Sequence, residues 1–240
     1  MMYRTEYRLL SSDVDLHRRL RLSRLFTMLQ EAAIAHTERL GMGRERTLDR
    51  GILWAVAMQR LRVRRLPEYD ERVILESWPG EMMHVLFPRY SRLTGEAGET
   101  LVEASALWIL MDARTRARVF PERAGVFLPG MGADGIPLPR ALKAAGGEDT
   151  PFVVPYSYCD LNGHMNNARL PDIAEDLMPQ DLRGGAIRQV EAEYLGEARP
   201  GEAIVLRTGL DGCAFALAGS REGRPLFRLR LEYASQEIQE

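Results

Sequence analysis

The sequence predicts an α+β protein with two tandem copies of one unit, each a long helix wrapped by an antiparallel sheet. The segment from Asp15 to Leu25 aligns without gaps on the segment from Asp160 to Leu170. After each copy come a helical stretch, a strand, a turn containing proline and an acid, and another strand. Long-range self-similarity of this kind indicates duplicated units. A helix followed by a run of strands favours an α+β arrangement with the helix against the sheet.

In the first copy, apolar residues recur near helical spacing and predict a mostly buried helix. The set comprises Leu22, Leu25, Phe26, Leu29, Ala32, Ala33 and Leu40, with Gly41 as a C-terminal stop. Apolar runs at 73–75, 85–90 and 101–111, separated by turn clusters, predict strands.

Composition changes in the middle of the chain and suggests where the two units meet. Residues 129–150 are rich in Gly, Pro and Ala and are predicted to link an N-terminal unit (1–128) to a C-terminal unit (151–240). The second helix, Ala168 to Leu177, is predicted to be short, with Pro171 near its first turn, where proline is tolerated.

Charge, cysteine content and hydropathy exclude several classes of protein. A net charge of −2 gives no reason to expect nucleic acid or an anionic membrane as a partner. The two cysteines, Cys159 and Cys213, are too few for a disulfide scaffold. No apolar run reaches the roughly 18 residues of a membrane span, and the N-terminal residues 1–6 lack the apolar region of a signal peptide, so we expect a cytoplasmic protein.

The residues that point to chemistry are an acid, an amide and an imidazole within five positions. In an extended or loop backbone the side chains of Asp160, Asn162 and His164 share one side, so they are predicted to enter one pocket. Asn166 and Asn167 precede a short apolar stretch and predict a helix N-cap beside the imidazole. The free N–H groups of that helix end could bind substrate by polarising a carbonyl group. Taken alone, the motif is weak, because Asp, Asn and Gly are ordinary turn residues.

The motif Asp-x-Asn-x-His-x-Asn-Asn at 160–167, with Glu197 33 residues after His164, resembles the catalytic loop of the acyl-acyl carrier protein thioesterases. The first half is similar to the same family in the segments 53–67, 76–80 and 105–112. This resemblance implies two hot-dog units in one chain and hydrolysis of a fatty acyl thioester to free fatty acid and carrier thiol. It implies an acyl carrier protein as partner and a bacterial-type enzyme.

The resemblance also assigns roles, with Asp160, Asn162, His164 and Glu197 as catalytic residues and neither a metal nor another cofactor. His164 and Glu197 are expected to activate water, and which of them is the base stays open. Asn162 would hold the water or the thioester oxygen, and Asp160 would orient a neighbour. Many plant relatives have cysteine after the glutamate, whereas this chain has Ala198, so a cysteine nucleophile there is excluded.

The first repeat lacks this set and is predicted to supply the wall of an acyl-chain pocket. It has His17 and Arg19 where the second repeat has Asn162 and His164. Trp54 and Met58 are candidate substrate contacts, within a larger apolar set of Leu29, Ile34, Met82, Met83, Trp108 and Met111. Core packing remains the alternative for each of these residues.

Alternating arginines at 60, 62 and 64, with Arg65, predict a basic stripe on one strand face. Acyl carrier proteins are acidic, so Arg60, Arg62, Arg64 and Arg65 are candidates for carrier docking. A solvated strand face is the alternative. Two rival functions also stay open: an acyl-CoA thioesterase of the hot-dog superfamily, and a non-catalytic acyl or acyl-carrier binding protein. The chain is expected to be a monomer or a homodimer.

Overall fold

A computed structural model describes residues 2–234 of the chain. The first half contains β1 (Tyr3–Arg8), α1 (Leu22–Arg39), β2 (Ile52–Val63), β3 (Arg72–Pro79), β4 (Phe87–Gly95), β5 (Thr100–Asp112), β6 (Arg118–Val119) and the short helix α2 (Pro121–Ala124). The second half contains β7 (Glu148–Val153), α3 (Leu170–Leu177), β8 (Ile187–Tyr194), β9 (Ala203–Asp211), β10 (Ala214–Arg221) and β11 (Arg224–Tyr233).

These strands form one continuous antiparallel sheet in the order β1-β3-β4-β5-β2-β8-β11-β10-β9-β7, with β6 paired to β5. The order reads the same from both ends, since β2, β5, β4, β3 and β1 correspond to β8, β11, β10, β9 and β7. The two halves join where β2 pairs with β8. The duplication and the α+β class are therefore confirmed, and the architecture is the expected double hot-dog fold.

Helix α1 lies on one face of this sheet because its apolar residues recur on one side. Leu25, Phe26, Met28 and Ala32 are buried in a core that also holds α3 and both halves of the sheet. The helix ends at the predicted place, where Gly41 adopts φ +70° and donates its N–H to the Glu38 carbonyl.

Helix α3 is short, as predicted, and is preceded by a 3₁₀ turn at Asn167–Arg169. Pro171 occupies its first turn, where its missing N–H costs no helical hydrogen bond. Ile173 and Ala174 bury its inner face in the same core as α1. The predicted strands at 73–75 and 101–111 lie within β3 and β5, while β4 starts at Phe87 because residues 84–85 form a tight turn.

Residues 129–147 contain no helix or strand and run across the face of the sheet opposite α1. Ile136 packs with Trp78 and Tyr90, and the Trp78 indole donates to the Gly132 carbonyl. Further on, Leu142 donates its N–H to Glu193. Regular structure resumes with β7 at Glu148, so we propose this covering segment as the connection between the units. None of the helices among residues 2–234 is both long enough and apolar enough to span a bilayer.

Candidate active site

The segment from Asp160 to His164 is a tight turn. The Asp160 N–H donates to the His164 carbonyl at 3.1 Å, and the Asp160 carbonyl accepts from Gly163. Gly163 takes φ +77°, a conformation that glycine adopts at little steric cost. Of the two backbone forms expected for this segment, extended or loop, the structure has the loop, and turn hydrogen bonds set its local geometry.

The turn separates the roles of its polar residues. The Asp160 carboxylate accepts the Asn162 N–H at 2.8 Å and so fixes the turn from inside. The Asn162 side chain is exposed, whereas His164 is largely enclosed, with 20% of its side chain accessible. Of the four predicted catalytic residues, the structure brings His164 and Glu197 side by side, with Nε2 and Oε1 3.7 Å apart.

Glu197 reaches the turn because the chain after β8 is tied to the residue that follows the histidine. The Met165 N–H donates to the Ala198 carbonyl at 2.7 Å, and both residues are buried. This one backbone bond sets the separation of two segments that are distant in sequence.

The ring orientation of His164 follows from its second nitrogen. Nδ1 lies 3.2 Å from the Met165 carbonyl oxygen, which can only accept a hydrogen bond. We therefore assign the proton of the neutral ring to Nδ1, which makes this contact a hydrogen bond. Nε2 then presents a lone pair on the side of Glu197, as a general base requires.

Arg116 is a further member of this cluster that sequence reasoning missed. Its Nε lies 3.2 Å from Glu197 Oε1, and it comes from the turn after β5, in the first half. The turn is held by Asp112, whose carboxylate accepts from Arg114 and Thr115, and these hydrogen bonds lower the pKa of Asp112. Nothing in the spacing of residues 112–118 relates them to Glu197, so only the fold could reveal the pair.

Asn166 forms the predicted cap, since its side-chain oxygen accepts the Ala168 N–H at 2.9 Å. The Asn167 N–H makes no hydrogen bond within the described residues, as expected at the start of a helical turn. Asn167 and Ala168 also form one end of a pocket. A backbone donor without a protein acceptor therefore belongs to a residue of the pocket wall, three positions after His164 in the chain.

The pocket runs between α1 and the sheet. Its walls carry mostly apolar or small side chains, with Gln30, Gln59, Ser91 and Arg89 as polar members. The cavity proper is narrow, with about 30 Å³ open to the centre of a water-sized sphere, and the 440 Å³ of space around it includes the solvent at its open mouth. The remaining lining residues are Phe26, Leu29, Ala33, Val56, Ala104, Ser105, Ala106 and Trp108.

Trp54 and Met58 lie near this pocket but are not among its wall residues. The Trp54 ring packs edge-on against Phe87, and its indole donates to the Met42 carbonyl at 3.1 Å. Met58 follows an irregularity in the pairing of β2 with β5. Leu29 and Trp108, from the same predicted apolar set, do line the pocket, whereas Ile34 and Met83 are exposed.

The predicted basic stripe is partly neutralised. Arg60 donates to Gln189 and lies 3.8 Å from Glu191, while Arg65 is bonded to both Glu71 and Glu99. Arg62 and Arg64 are exposed. They lie at the end of β2 that pairs with Val102, whereas the other end pairs with Asp112 beside Arg116.

That separation amounts to most of a 12-residue strand, or roughly 35 Å at about 3.3 Å per residue. The exposed part of the stripe is therefore remote from His164 and Glu197.

The first repeat forms the same turn but lacks the histidine–glutamate pair. Asp15 accepts the His17 N–H at 2.8 Å, and Leu20 donates to the Pro67 carbonyl as Met165 does to Ala198. Leu66 therefore takes the place of Glu197, and Arg19 takes that of His164. The sequence alignment of the repeats is confirmed, with one histidine–carboxylate pair in the two loops.

Cys159 adjoins the turn but is not arranged as a nucleophile. Its thiol contacts the Pro155 carbonyl at 3.7 Å, and burial together with the Asp160 carboxylate raises its pKa. Among residues 2–234 no cluster of His, Cys, Asp and Glu side chains is arranged to hold a metal ion.

Comparison with known proteins places this geometry in context. The family described as acyl-ACP thioesterase N-terminal domain matches residues 1–123. A chloroplastic acyl-[acyl-carrier-protein] hydrolase, FATB2, of Cuphea viscosissima is 22% identical over 229 residues, covering 88% of this chain and 56% of the relative. A chloroplastic palmitoyl-acyl carrier protein thioesterase of Arabidopsis thaliana is 21% identical, covering 96% of this chain and 61% of the relative. The chain thus spans little more than half the length of these relatives.

Solved structures share the fold over almost the whole chain. An acyl-ACP thioesterase from Bacteroides thetaiotaomicron superimposes with a TM-score of 0.85 at 19% identity, covering 97% of this chain and 98% of the other. The 12:0-ACP thioesterase of Umbellularia californica gives 0.81 at 21% identity, with 97% of each chain covered. The fold defines a double hot-dog protein, and His164 and Glu197 meet in its second half. The chain belongs to the acyl-ACP thioesterase family.

Proposed function

We propose that this protein hydrolyses the thioester of a fatty acyl-acyl carrier protein, releasing a free fatty acid and the carrier thiol. The observation that carries the proposal is the 3.7 Å approach of His164 Nε2 to Glu197 Oε1, beside a pocket between helix and sheet. Family membership and the relatives' names support the same substrate class.

In the proposed mechanism a water molecule near His164 and Glu197 attacks the thioester carbonyl carbon. His164 Nε2 takes the proton of this water, and the Glu197 carboxylate stabilises the imidazolium that forms. The carbonyl oxygen becomes an oxyanion and accepts the free Asn167 N–H. When the carbon–sulfur bond breaks, the imidazolium returns its proton to the thiolate, which leaves as the carrier thiol.

Asp160 acts in this proposal as a positioning residue, because its carboxylate holds the turn that carries His164. Asn162 is exposed on the same turn. In the proposed complex the bound substrate lies against this turn, and the Asn162 side chain then contacts the water or the thioester oxygen. No step requires a metal or another cofactor.

The test is replacement of the two central residues. His164→Ala and Glu197→Ala are each expected to lower kcat by at least about a hundredfold, the lower range for loss of general acid–base catalysis. Free thiol released from acyl carrier protein thioesters would be measured, with circular dichroism to confirm folding. The matched control is His17→Ala in the turn of the first repeat, which should leave the rate unchanged. Near-normal turnover in both central variants would refute the assignment.

For the carrier we propose a docking surface near the site in place of the remote stripe. Four exposed arginines form this surface, which we call the basic patch: Arg46, Arg50, Arg114 and Arg118. The two segments are adjacent, since Ala113 donates its N–H to the Gly51 carbonyl at 2.8 Å. Arg116, between the last two members, touches Glu197. No member of the patch forms an ion pair in the described part of the chain, so its charge is available to an acidic partner.

A further inference from the structure

The pocket that faces the catalytic turn contains a buried arginine. Arg89 is the third residue of β4, lies on the face toward α1 and is 6% exposed. Among residues 2–234 no carboxylate lies within ion-pair distance of its guanidinium, although arginines elsewhere in the sheet, such as Arg92 and Arg228, are paired. A charge buried without a counter-ion is costly, so its presence beside a pocket requires an explanation.

The contacts of Arg89 are with neutral groups. It donates to Ser77 Oγ at 3.2 Å and to Thr37 Oγ1 at 3.1 Å, and it lies 3.2 Å from His36 Nδ1. A guanidinium cannot accept a hydrogen bond, so Nδ1 of His36 must be the acceptor. These contacts use three of the five N–H donors. Burial lowers the pKa of Arg89 to about 10, so the group stays charged at neutral pH.

Arg89 is anchored by the C-terminal part of α1, just beyond the helix residues that line the pocket. Along α1 the wall is formed by Phe26, Leu29, Gln30 and Ala33, which span about 10 Å of helix at about 1.5 Å per residue. The α1 residues that bond Arg89 follow immediately, at positions 36 and 37. The catalytic turn contributes Asn167. A chain that enters beside Asn167 and follows α1 therefore meets the guanidinium.

A second donor in the same walls lacks a partner. Trp108, which lines the pocket, has a buried indole N–H with no acceptor in the described residues. An acyl chain that ends in a methyl group would displace water from Arg89 without supplying a hydrogen-bond acceptor or a negative charge in its place. Leaving buried donors unpaired destabilises the bound complex, and more so when the donor is charged.

Building on the proposed function, we propose that this protein prefers acyl chains whose far end carries a carboxylate, with Arg89 as the residue that binds it. The carboxylate would supply the counter-ion that the pocket lacks, and it can accept two parallel N–H donors of the guanidinium. Sites built to bond a polar group reject analogues without it by large factors. A preference of at least about tenfold in kcat/KM is therefore expected.

The experiment compares matched pairs of acyl carrier protein thioesters: hexanoyl with hexanedioyl, octanoyl with octanedioyl, and decanoyl with decanedioyl. The wild-type protein should hydrolyse the best carboxylate-ended chain at least about tenfold more efficiently than its methyl-ended partner. Arg89→Met keeps the length of the side chain and removes the charge, so it should reverse this order. Arg92→Met, on the same strand but on the opposite face, should keep the wild-type order.

The outcomes separate this inference from the proposed function. Wild-type preference for the methyl-ended chains would overturn the role of Arg89 and leave thioester hydrolysis intact. Hydrolysis of neither series would overturn the proposed function and this inference with it. The wild-type comparison decides the matter even if Arg89→Met fails to fold. If that variant folds and retains the wild-type order, Arg89 is not the carboxylate-binding residue.

Discussion

Glu197 is held between two partners that come from different halves of the chain. It lies 3.7 Å from His164 Nε2 and 3.2 Å from Arg116 Nε. Arg116 does not reach the reacting atoms in our proposal, so we regard it as a positioning residue that orients the carboxylate. The hydrogen bonds that Asp112 accepts hold the turn that carries Arg116.

Arg116→Met is expected to lower kcat about three- to tenfold, because a partly exposed charge-assisted contact contributes on the order of 1 kcal/mol. KM should change little, since the side chain acts on Glu197 and not on the substrate. Arg116→Lys should recover part of the loss. Steady-state kinetics of both variants would test this, and a change confined to KM would assign Arg116 to substrate binding.

At the scale of elements, the two helices differ in length and in what they carry. Helix α1 is 18 residues long and supplies the pocket wall, while α3 has eight residues and carries Glu175. Burial raises the pKa of Glu175 to about 7, reinforced by Asp172, Asp15 and Asp176 and opposed by Arg21. Tyr233 lies near it, and burial raises the pKa of that phenol too.

This carboxylate makes stability depend on pH in a defined direction. Below pH 4.5, which is the ordinary pKa of glutamate, Glu175 is protonated in both the folded and the unfolded chain, so it does not lower the free energy of unfolding. As the pH rises toward 7 the unfolded chain ionises first, so the folded state loses stability across that window.

Glu175→Gln is therefore expected to stabilise the protein above pH 7 by roughly 2 kcal/mol and to have little effect near pH 4.5. Urea unfolding at both pH values would measure this. The control is Asp176→Asn, an exposed neighbour, which should change stability little at either pH. An equal effect of Glu175→Gln at both pH values would show that ionisation is not its cause.

At the scale of the whole molecule, duplication has produced two turns of the same form, one of which carries the proposed catalytic pair. The continuous sheet brings Arg116 of the first half to Glu197 of the second, and α1 of the first half forms the pocket beside the second turn. Each half therefore supplies what the other lacks, and neither is expected to be active alone.

The basic patch is tested by charge reversal. Arg114→Glu with Arg118→Glu should lower kcat/KM for acyl carrier protein substrates about tenfold at low salt, mainly through slower association, and less at high salt. A small acyl thioester without the carrier should be hydrolysed at the normal rate.

The matched control is Arg62→Glu with Arg64→Glu at the remote end of β2. This pair should leave both substrates unaffected. If the remote pair impairs the carrier substrate and the near pair does not, the stripe predicted from sequence is the docking surface instead.

The sequence by itself predicted the duplication, both helices and the Asn166 cap, because these depend on local patterns: apolar periodicity, a capping side chain and self-similarity within one chain. The candidates His164 and Glu197 were predicted from the resemblance of their motif to the acyl-acyl carrier protein thioesterases. The aligned repeats also predicted a single site, and the matching turn of Asp15 agrees with that alignment.

Only the tertiary structure decided which side chains meet. Asn162 is exposed because hydrogen bonds of the turn override the alternation of an extended strand. Arg60 and Arg65 find acids on neighbouring segments, and Arg116 and Arg89 gain their roles from contacts across strands and with α1. Such contacts depend on strand register and helix packing between residues far apart in sequence. No local pattern encodes them, so the walls of the pocket and the partners of its charges became visible only in the folded chain.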